Sequence, residues 1–386
     1  MLDQQRLAIA PAFLFVLFLI AAASHGRSAP RGGRQPATAL NAANVSRRWR
    51  TENGSTCIAF KHYLHLPNRD SLSLSPSASW CTTIAAMVAV CASHNQSNLT
   101  PDRHHLLRLR CQRFRNSLER FETQLPPPTR RPLPDVFPGK AIMLLHMSKA
   151  GGTSLCNLGR YNNLTTHPKA NNCWPPFNGP VWFASFRHVE VTCTAYAHMV
   201  ESDSIGILAN EAYLDGGASG YATQLCPNLT YVTMLRHPVA RTLSHTRQAG
   251  IRDSDGSKDK YRSRPLVEQL QARPEIGNNY MTRFLLGKQA YESALDELDS
   301  TALEAALRNL LQMDVILVLE DPVQTSEGLG RLGWAVTDLR TKAGRVDPRR
   351  RHVSDLTGAE VQALQEANRL DAVLYQAALL IVGTGG

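Results

Sequence analysis

Short apolar runs that alternate with helical stretches constrain the fold of this chain more than any other feature. The runs are bounded by turn residues and span 141–147, 181–186, 205–209, 231–235 and 315–319. Helical patterns lie between and after them, at 153–158, 239–249, 277–286, 301–311 and 358–381. Unbroken apolar runs of this length are typical of parallel strands buried on both faces. The pattern predicts an α/β fold, a three-layer sandwich around a central parallel sheet, with ligands at the carboxyl ends of the strands.

An apolar run from residue 7 to residue 23 marks the N-terminus. Arg6 precedes this run, and His25 and Arg27 follow it. The run is at the short end of what a membrane-spanning helix needs, and its alanines at 21–23 also suit a signal-peptidase site. We predict a signal anchor in residues 1–24, with a cleaved signal peptide as the alternative. Either segment directs the rest of the chain into the lumen of the secretory pathway.

Cysteines and glycosylation sequons agree with a lumenal location. The chain of 386 residues holds eight cysteines with no CxxC pair, which suits disulfides better than zinc or redox chemistry. The sequence does not fix how they pair. Glycosylation requires lumenal exposure, and Asn-X-Ser/Thr sequons begin at Asn44, Asn53, Asn95, Asn98, Asn163 and Asn228.

Composition divides the lumenal part into three regions. Residues 25–56 are rich in Arg, Gly, Ala and Ser without apolar periodicity, which is typical of a flexible stem. Residues 57–137 hold four cysteines and end in a proline-rich segment, 126–138, whose prolines deny helix and sheet hydrogen bonds. We therefore predict a small disulfide-tied lumenal region, then a domain boundary, then a catalytic domain in residues 138–386.

The segment AIMLLHMSKAGGTSLCNL carries the first candidate site, because it runs from a strand pattern through a glycine turn into a helix. Gly151 and Gly152 let the backbone approach an anion, and the N–H groups that open the helix face that anion. Lys149 adds a positive charge, and Thr153 and Ser154 add hydroxyl donors. The lysine precedes the glycines, unlike the GxxxxGK[ST] order of phosphate-binding NTPases. The segment predicts an anion cradle of a different kind.

A second candidate site lies in TYVTMLRHPVARTLSH. Arg236 ends a strand pattern, Pro238 follows, and Ser244 lies two turns into the next helix. An arginine at a strand end can bind a phosphate through its forked donors, and a serine eight residues later can face the same oxygens. The segment predicts a second anion site.

Together the two segments resemble the cofactor motifs of Golgi-type PAPS-dependent sulfotransferases. KAGGTS resembles the PKTGGTS loop that binds the 5'-phosphosulfate in that family. Arg236, Pro238, Arg241 and Ser244 match its 3'-phosphate motif, R-[DN]-P-x-x-R-x-x-S, and His237 is the departure. Weaker similarities are NNYMTRFLLG, DVILVLEDPVQTSEGL and ANRLDAVLYQAA, so that the resemblance covers about residues 140–380.

The resemblance implies a P-loop-NTPase-like sulfotransferase fold and an enzyme of the Golgi membrane with a lumenal catalytic domain. Such an enzyme transfers the sulfuryl group of 3'-phosphoadenosine-5'-phosphosulfate (PAPS) to a hydroxyl or amine, here of a glycan or glycoprotein acceptor. No metal and no nucleic acid is implied. The implied cofactor-binding residues are Lys149, Ala150, Gly151, Gly152, Thr153, Ser154, Arg236, Ser244 and Arg351.

The candidates for the chemistry are one lysine and three possible bases. Lys149 would stabilise the bridging oxygen as it leaves, since its charge is strongest in a cleft that excludes water. In the related enzymes the base, a His or Glu, lies at or just after the strand that precedes the 3'-phosphate strand. That position points to Glu211 as the lead base, with His188 as a second candidate and His198 as a weaker one.

The formal net charge of +10 favours anionic partners, although charge alone does not choose among nucleic acids, acidic glycans and phosphorylated cofactors. A late basic run, DPRRRHVSD, contains Arg351. It is either a solvated surface or a loop that closes over the 3'-phosphate or binds an anionic acceptor.

Two other functions stay open from the sequence. A nucleotide-dependent kinase is disfavoured by the missing GK[ST] order and by the lumenal location. A non-catalytic, membrane-anchored glycan-binding relative is disfavoured by Lys149, Arg236 and Ser244, because a pure binding module has no need of a cofactor cradle.

Overall fold

The computed structural model of the chain describes residues 76–92, 100–123, 140–167, 171–175, 191–214, 225–252, 264–294, 297–339 and 353–383. The predicted anchor, the stem, the proline-rich segment, the apolar run 181–186, His188 and Arg351 lie outside these ranges. Within them, no helix has the length and hydropathy needed to cross a membrane.

A parallel sheet of four strands forms the centre of the described structure. The strands are β1 (Ala141–Leu145), β2 (Ile207–Asn210), β3 (Leu229–Leu235) and β4 (Val315–Val318), in the order β2-β1-β3-β4. All three neighbouring pairs are parallel. Every residue of the four strands is buried, as expected for a parallel sheet covered on both faces. The sheet confirms the predicted α/β class.

Helices precede, connect and follow the strands. They are α1 (Pro76–Ala92), α2 (Pro101–Glu122), α3 (Gly152–Tyr161), α4 (Cys193–Ser202), α5 (Pro238–Arg252), α6 (Leu266–Ala272), α7 (Pro274–Gly277), α8 (Tyr280–Leu286), α9 (Lys288–Glu292), α10 (Ser300–Leu311), α11 (Pro322–Gly330), α12 (Gly358–Ala367) and α13 (Arg369–Gly383).

The two faces of the sheet pack into two apolar cores because successive strand side chains point in opposite directions. Met143 and Leu145 of β1 belong to a large core shared with α1, α2, α8, α10 and α13. Ile142 and Leu144 belong to a smaller core shared with α3 and α11. Helices therefore lie on both faces of the sheet, an arrangement compatible with the predicted three-layer sandwich.

The two helices before the proline-rich segment pack on the same core as the sheet. Arg103 of α2 is buried, and its Nη1 donates to the carbonyl of Gln312 at 2.9 Å and lies 2.5 Å from Asp314 Oδ2. Asp314 in turn accepts a hydrogen bond from the backbone N–H of Tyr231 in β3 at 2.7 Å. This chain of contacts joins α2 to the sheet.

Disulfides link neighbouring segments of the chain, which confirms the prediction that the cysteines form disulfides. One pair joins α1 to α2, a second joins α3 to a short 3-10 turn, and a third joins the start of α4 to the segment before β3. Cys81 is also disulfide-bonded. The three pairs are Cys91–Cys111, Cys156–Cys173 and Cys193–Cys226.

Two of the predicted helices are each divided by an asparagine. Asn279 has a left-handed backbone, with φ of 47°, and separates α7 from α8, while its Oδ1 accepts the backbone N–H of Leu370 at 2.9 Å. Asn368 ends α12, and its Nδ2 donates to the carbonyl of Gly277 at 3.1 Å. Each asparagine side chain thus bonds to the backbone beside the other asparagine, so that the breaks in the two predicted helices lie next to each other.

Candidate functional site

The candidate site lies at the carboxyl end of the sheet, at its topological switch point. There the strand order changes from one side of β1 to the other. The chain passes from the central strand β1 to β2 on one side and then to β3 on the other side. Ligands of parallel α/β sheets bind in the crevice at such a switch point. The segments that follow β1 and β3 carry the two predicted anion motifs, and therefore flank this crevice.

Lys149 follows β1 and takes an unusual backbone conformation. Its φ is 67°, in the left-handed region, although it is not a glycine. The side chain is half-buried, and its Nζ donates a hydrogen bond to Oε1 of Gln248 in α5. This hydrogen bond joins the loop after β1 to α5.

The start of α3 places backbone donors beside Lys149. Gly151 is the N-cap and offers no side-chain cap, and the first helical bond runs from the N–H of Leu155 to the carbonyl of Gly151 at 3.1 Å. The first N–H groups of a helix have no partner within it, and together with the helix dipole they attract anions. Thr153 is exposed and Ser154 is half-buried, so both hydroxyls lie near the surface of the site.

The two glycines of this loop meet requirements of the fold as well as of an anion. Gly151 has φ of 98°, and a Cβ there would lie 2.9 Å from Met234 Sδ. A Cβ on Gly152 would lie 1.8 Å from Cδ2 of His146, so the imidazole occupies the space that a side chain would need. Tight packing against the sheet, and not only access to a ligand, therefore requires glycine at both positions.

Arg236 brings the two motifs into contact. It follows β3, and its Nη1 donates to the carbonyl of Lys149 at 2.9 Å. Its Nε lies 3.8 Å from Glu320 Oε1, just past β4. Arg236 therefore brings its positive charge beside the loop that carries Lys149.

Glu320 is a half-buried carboxylate behind Arg236. It accepts hydrogen bonds from the backbone N–H of His237 at 3.1 and 3.2 Å and from the hydroxyl of Tyr375 at 3.2 Å. Burial raises the pKa of Glu320, and the hydrogen bond from His237 and the charge of Arg236 oppose that rise. Burial, followed by the charge of Arg236, lowers the pKa of the His237 imidazole to about 4.

Helix α5 carries the remaining residues of the second motif, and they have different surroundings. Arg241 is fully buried, and its Nη2 donates to the carbonyl of Ile276 at 2.6 Å, which makes it part of the fold. Ser244 is half-buried and lies four residues before Gln248, which contacts Lys149. Residues four apart share a helix face, so Ser244 lies on the side of α5 that faces the loop after β1.

Glu211 lies directly after β2 and beside the same loop. Its side chain is buried, and its Oε1 accepts a hydrogen bond from the hydroxyl of Ser148 at 2.5 Å. Its Oε2 lies 3.4 Å from Nδ1 of His146, and each of these two atoms has no hydrogen-bond partner among the described residues. Burial lowers the pKa of His146, Glu211 raises it, and Lys149 lowers it further.

The structure thus brings Lys149, Glu211 and Arg236 to one edge of the sheet. The other two candidate bases are not brought there, since His198 is exposed on α4 and His188 lies outside the described residues. Arg351 lies outside them as well. The sequence analysis did not select four polar residues of this edge, although each follows a strand or lies on a helix already implicated: His146, Ser148, Gln248 and Glu320.

No protein-family model matches this chain, and no curated protein matches it in sequence. The resemblance to sulfotransferases therefore depends on the residues of the two motifs, and the role of each site residue stays a prediction. The same holds for the expectation that no metal is needed.

Proposed function

We propose that the protein is a sulfotransferase that moves the sulfuryl group of PAPS to a hydroxyl or amine of a secretory-pathway acceptor, namely a glycan. The observation that carries the proposal is the 2.9 Å hydrogen bond between Arg236 Nη1 and the carbonyl of Lys149 at the switch point of the sheet. It joins two anion motifs that are 87 residues apart in sequence. PAPS needs two such sites, because it carries a phosphosulfate and a separate 3'-phosphate.

The donor fits the polar groups of this edge. The open N–H groups at the start of α3 and the charge of Lys149 suit the 5'-phosphosulfate. Arg236 and Ser244 suit the 3'-phosphate, since a guanidinium and a hydroxyl are strong donors to phosphate oxygens. The finer fold proposed here, a P-loop-NTPase-like sulfotransferase fold, follows from the same strand, loop and helix.

The proposed reaction gives Lys149 a role at the leaving oxygen and Glu211 a role at the acceptor. The acceptor oxygen or nitrogen forms a bond to sulfur while the bond from sulfur to the bridging oxygen of PAPS breaks, which leaves 3'-phosphoadenosine-5'-phosphate (PAP). Lys149 stabilises the charge that develops on the bridging oxygen. Glu211 takes the acceptor proton, and an in-line arrangement of acceptor and leaving group is what the crevice has to impose.

The location proposed for the enzyme is the Golgi membrane, with residues 1–24 as a signal anchor and the catalytic domain in the lumen. Disulfide-bonded cysteines support an oxidising compartment, where such bonds persist. Two predicted glycosylation sites, at Asn163 and Asn228, are exposed, as glycosylation requires.

The deciding experiment measures ligand binding and group transfer with the same lumenal protein. PAP should raise the melting temperature, whereas ATP with magnesium should not, because only a ligand of the native state stabilises it. Label from [35S]PAPS should then appear on one or more members of a glycan panel. Stabilisation by PAP without transfer to any acceptor favours a non-catalytic relative, and stabilisation by ATP with magnesium alone favours a kinase.

The base is tested by three substitutions in the active protein. Glu211→Gln should keep both substrates bound and lower kcat by about a hundred-fold to ten-thousand-fold, because the amide cannot accept the proton. His188→Ala and His198→Ala should be mild. If His188→Ala is inactive while Glu211→Gln keeps near-normal activity, the role of general base passes to His188.

A further inference from the structure

Glu211 and His146 face each other through two buried atoms that lack hydrogen-bond partners among the described residues. Oε2 of Glu211 and Nδ1 of His146 are 3.4 Å apart. The side chains are 7% and 3% exposed, so bulk water does not satisfy either atom. A buried polar atom without a partner costs about 1–3 kcal/mol, which favours a small movement that brings the two atoms into a hydrogen bond.

The other oxygen of the carboxylate already has a donor. The hydroxyl of Ser148 donates to Oε1 of Glu211 at 2.5 Å, and Ser148 is fully buried. The backbone N–H of Ser148 donates to the hydroxyl of Tyr280 at 3.2 Å, which fixes the residue from the side of α8. Ser148 is therefore held so that its hydroxyl is directed at Glu211.

The ring of His146 is also held in place by its surroundings. The backbone N–H of His146 donates to the carbonyl of Asn210 at 2.8 Å, one residue before Glu211. The ring fills the space left by the missing side chain of Gly152 at the start of α3. Both possible donors to Glu211 thus come from the loop that also carries Lys149.

We propose that Ser148 and His146 are positioning residues for Glu211, with the hydroxyl of Ser148 held to Oε1 and the Nδ1–H of His146 held to Oε2. This inference rests on the proposed function, in which Glu211 takes the acceptor proton. A carboxylate has about four lone-pair sites, so one lone pair on each oxygen remains for that proton. Glu211 is then oriented towards the acceptor by the same loop that binds the donor.

Neutral donors suit this task. Burial lowers the pKa of His146, so the imidazole is neutral at neutral pH and orients the carboxylate without forming an ion pair. Among the described residues, the other titratable groups that act on this pair are Lys149, a cation, and Tyr280, whose pKa burial raises to about 12.

Two variants remove the donors, and one keeps a donor in place. Ser148→Ala deletes the hydroxyl, and His146→Phe keeps a ring against Gly152 without the N–H. His146→Asn keeps an N–H donor close to the position of Nδ1. We expect the first two to lower kcat by roughly ten-fold to a hundred-fold at unchanged KM for PAPS, and His146→Asn to restore most of the loss.

The acid limb of the pH profile of kcat supplies a readout that a purely structural role does not change. A hydrogen bond to a carboxylate favours its charged form, so the kcat profile should respond to the loss of either donor. The acid limb should move to higher pH, by about one unit for a hydrogen bond of about 1 kcal/mol. It should return towards the wild-type position in His146→Asn.

Carbon-13 NMR of the labelled glutamate carboxyls tests the inference without turnover. Loss of one signal in Glu211→Gln assigns Glu211, whose pKa is then measured in the wild type and in the three variants. A higher pKa in Ser148→Ala and His146→Phe supports the positioning role. Equal values in folded proteins overturn it, and if His146→Phe does not fold, Ser148→Ala alone decides. Absence of PAP binding by the wild type would reject the proposed function and leave this titration valid.

Discussion

The left-handed backbone of Lys149 shows how much one residue of this site is constrained. Few residues other than glycine adopt φ near 67°, and the strain is tolerated where surrounding contacts determine the conformation. Here the backbone carbonyl of Lys149 accepts a hydrogen bond from Arg236, and the side-chain amine of Lys149 donates one to Gln248. The contacts that hold the lysine are those that connect the two anion motifs.

Replacement of the lysine separates its charge from its contribution to the fold. We expect Lys149→Ala to lower kcat by at least a hundred-fold, because it removes the charge that we propose stabilises the leaving oxygen, while the backbone carbonyl of residue 149 still binds Arg236. Thermal unfolding should change little. The control is Lys140→Ala at the opposite end of β1, where Nζ donates to the carbonyl of Pro227; it should keep full activity. Normal turnover in Lys149→Ala would reject the proposed role of the lysine.

Gly152 is expected to tolerate no side chain at all. An added Cβ would lie 1.8 Å from Cδ2 of His146, which is buried and cannot move away easily. Overpacking of this kind costs about 1–3 kcal/mol, so Gly152→Ala should lower the free energy of unfolding in denaturant titrations by at least that range. Gly330→Ala, with no atom within 4 Å of its added Cβ, is the matched control and should be neutral.

At the scale of elements, the apolar runs of the sequence located the four described strands to within two residues. The predicted run 205–209 corresponds to β2, Ile207–Asn210, so that Glu211 follows the strand directly as expected. The broken helices could not be predicted, because Asn279 and Asn368 divide them through hydrogen bonds to partners about 90 residues away. Sequence periodicity reports local preference, and these breaks depend on tertiary contacts.

The same limit explains why the pairing of Glu211 with His146 and Ser148 escaped the sequence. The spacing identified each strand end by itself, but which ends meet depends on strand order, here β2 beside β1. His146 and Ser148 stood in a segment already chosen for its lysine and glycines. Their role becomes visible only when Glu211 is brought beside them.

The two arginines of the second motif are expected to respond differently to substitution. Arg236→Ala and Ser244→Ala should weaken PAP binding, measured by calorimetry, with a smaller effect on kcat, because the proposed function assigns them to the 3'-phosphate, which does not react. Arg241→Ala should instead destabilise the fold by about 3 kcal/mol, since the buried guanidinium bonds the carbonyl of Ile276. A change in kcat alone, at unchanged affinity for PAP, would contradict the placement of Arg236 and Ser244.

The helices before the proline-rich segment pack more closely with the sheet than the composition of the chain suggests. The proline-rich segment predicts a boundary, and yet α1 and α2 contribute to the same apolar core as β1 and α13. Buried Arg103 adds polar contacts from α2 to Gln312 and to Leu229 at the start of β3. Composition cannot reveal such packing, because a helix before a linker can fold alone or against the domain on the other side of that linker. Truncation before Lys140 would expose part of the core and is expected to reduce solubility.

The stability of the whole molecule should depend on pH through His237. Burial lowers its pKa to about 4 in the folded protein, against an ordinary value of 6.5 in the unfolded chain. Between these values the unfolded state binds more protons, so the stability that the neutral imidazole contributes is present above pH 6.5 and is lost as the pH falls towards 4. One proton corresponds to about 1.4 kcal/mol for each pH unit within this window.

His237→Asn isolates this contribution from the other groups that titrate in the same range. Glu320 and Asp371 have raised pKa values, so they oppose the trend, but they are present in both proteins. The backbone N–H that binds Glu320 is also kept. Denaturant titrations from pH 7 to pH 4 should therefore show the wild type losing stability relative to His237→Asn by on the order of 3 kcal/mol. A difference that does not change with pH would mean that the imidazole is not held neutral by burial against Tyr375 and beside Arg236.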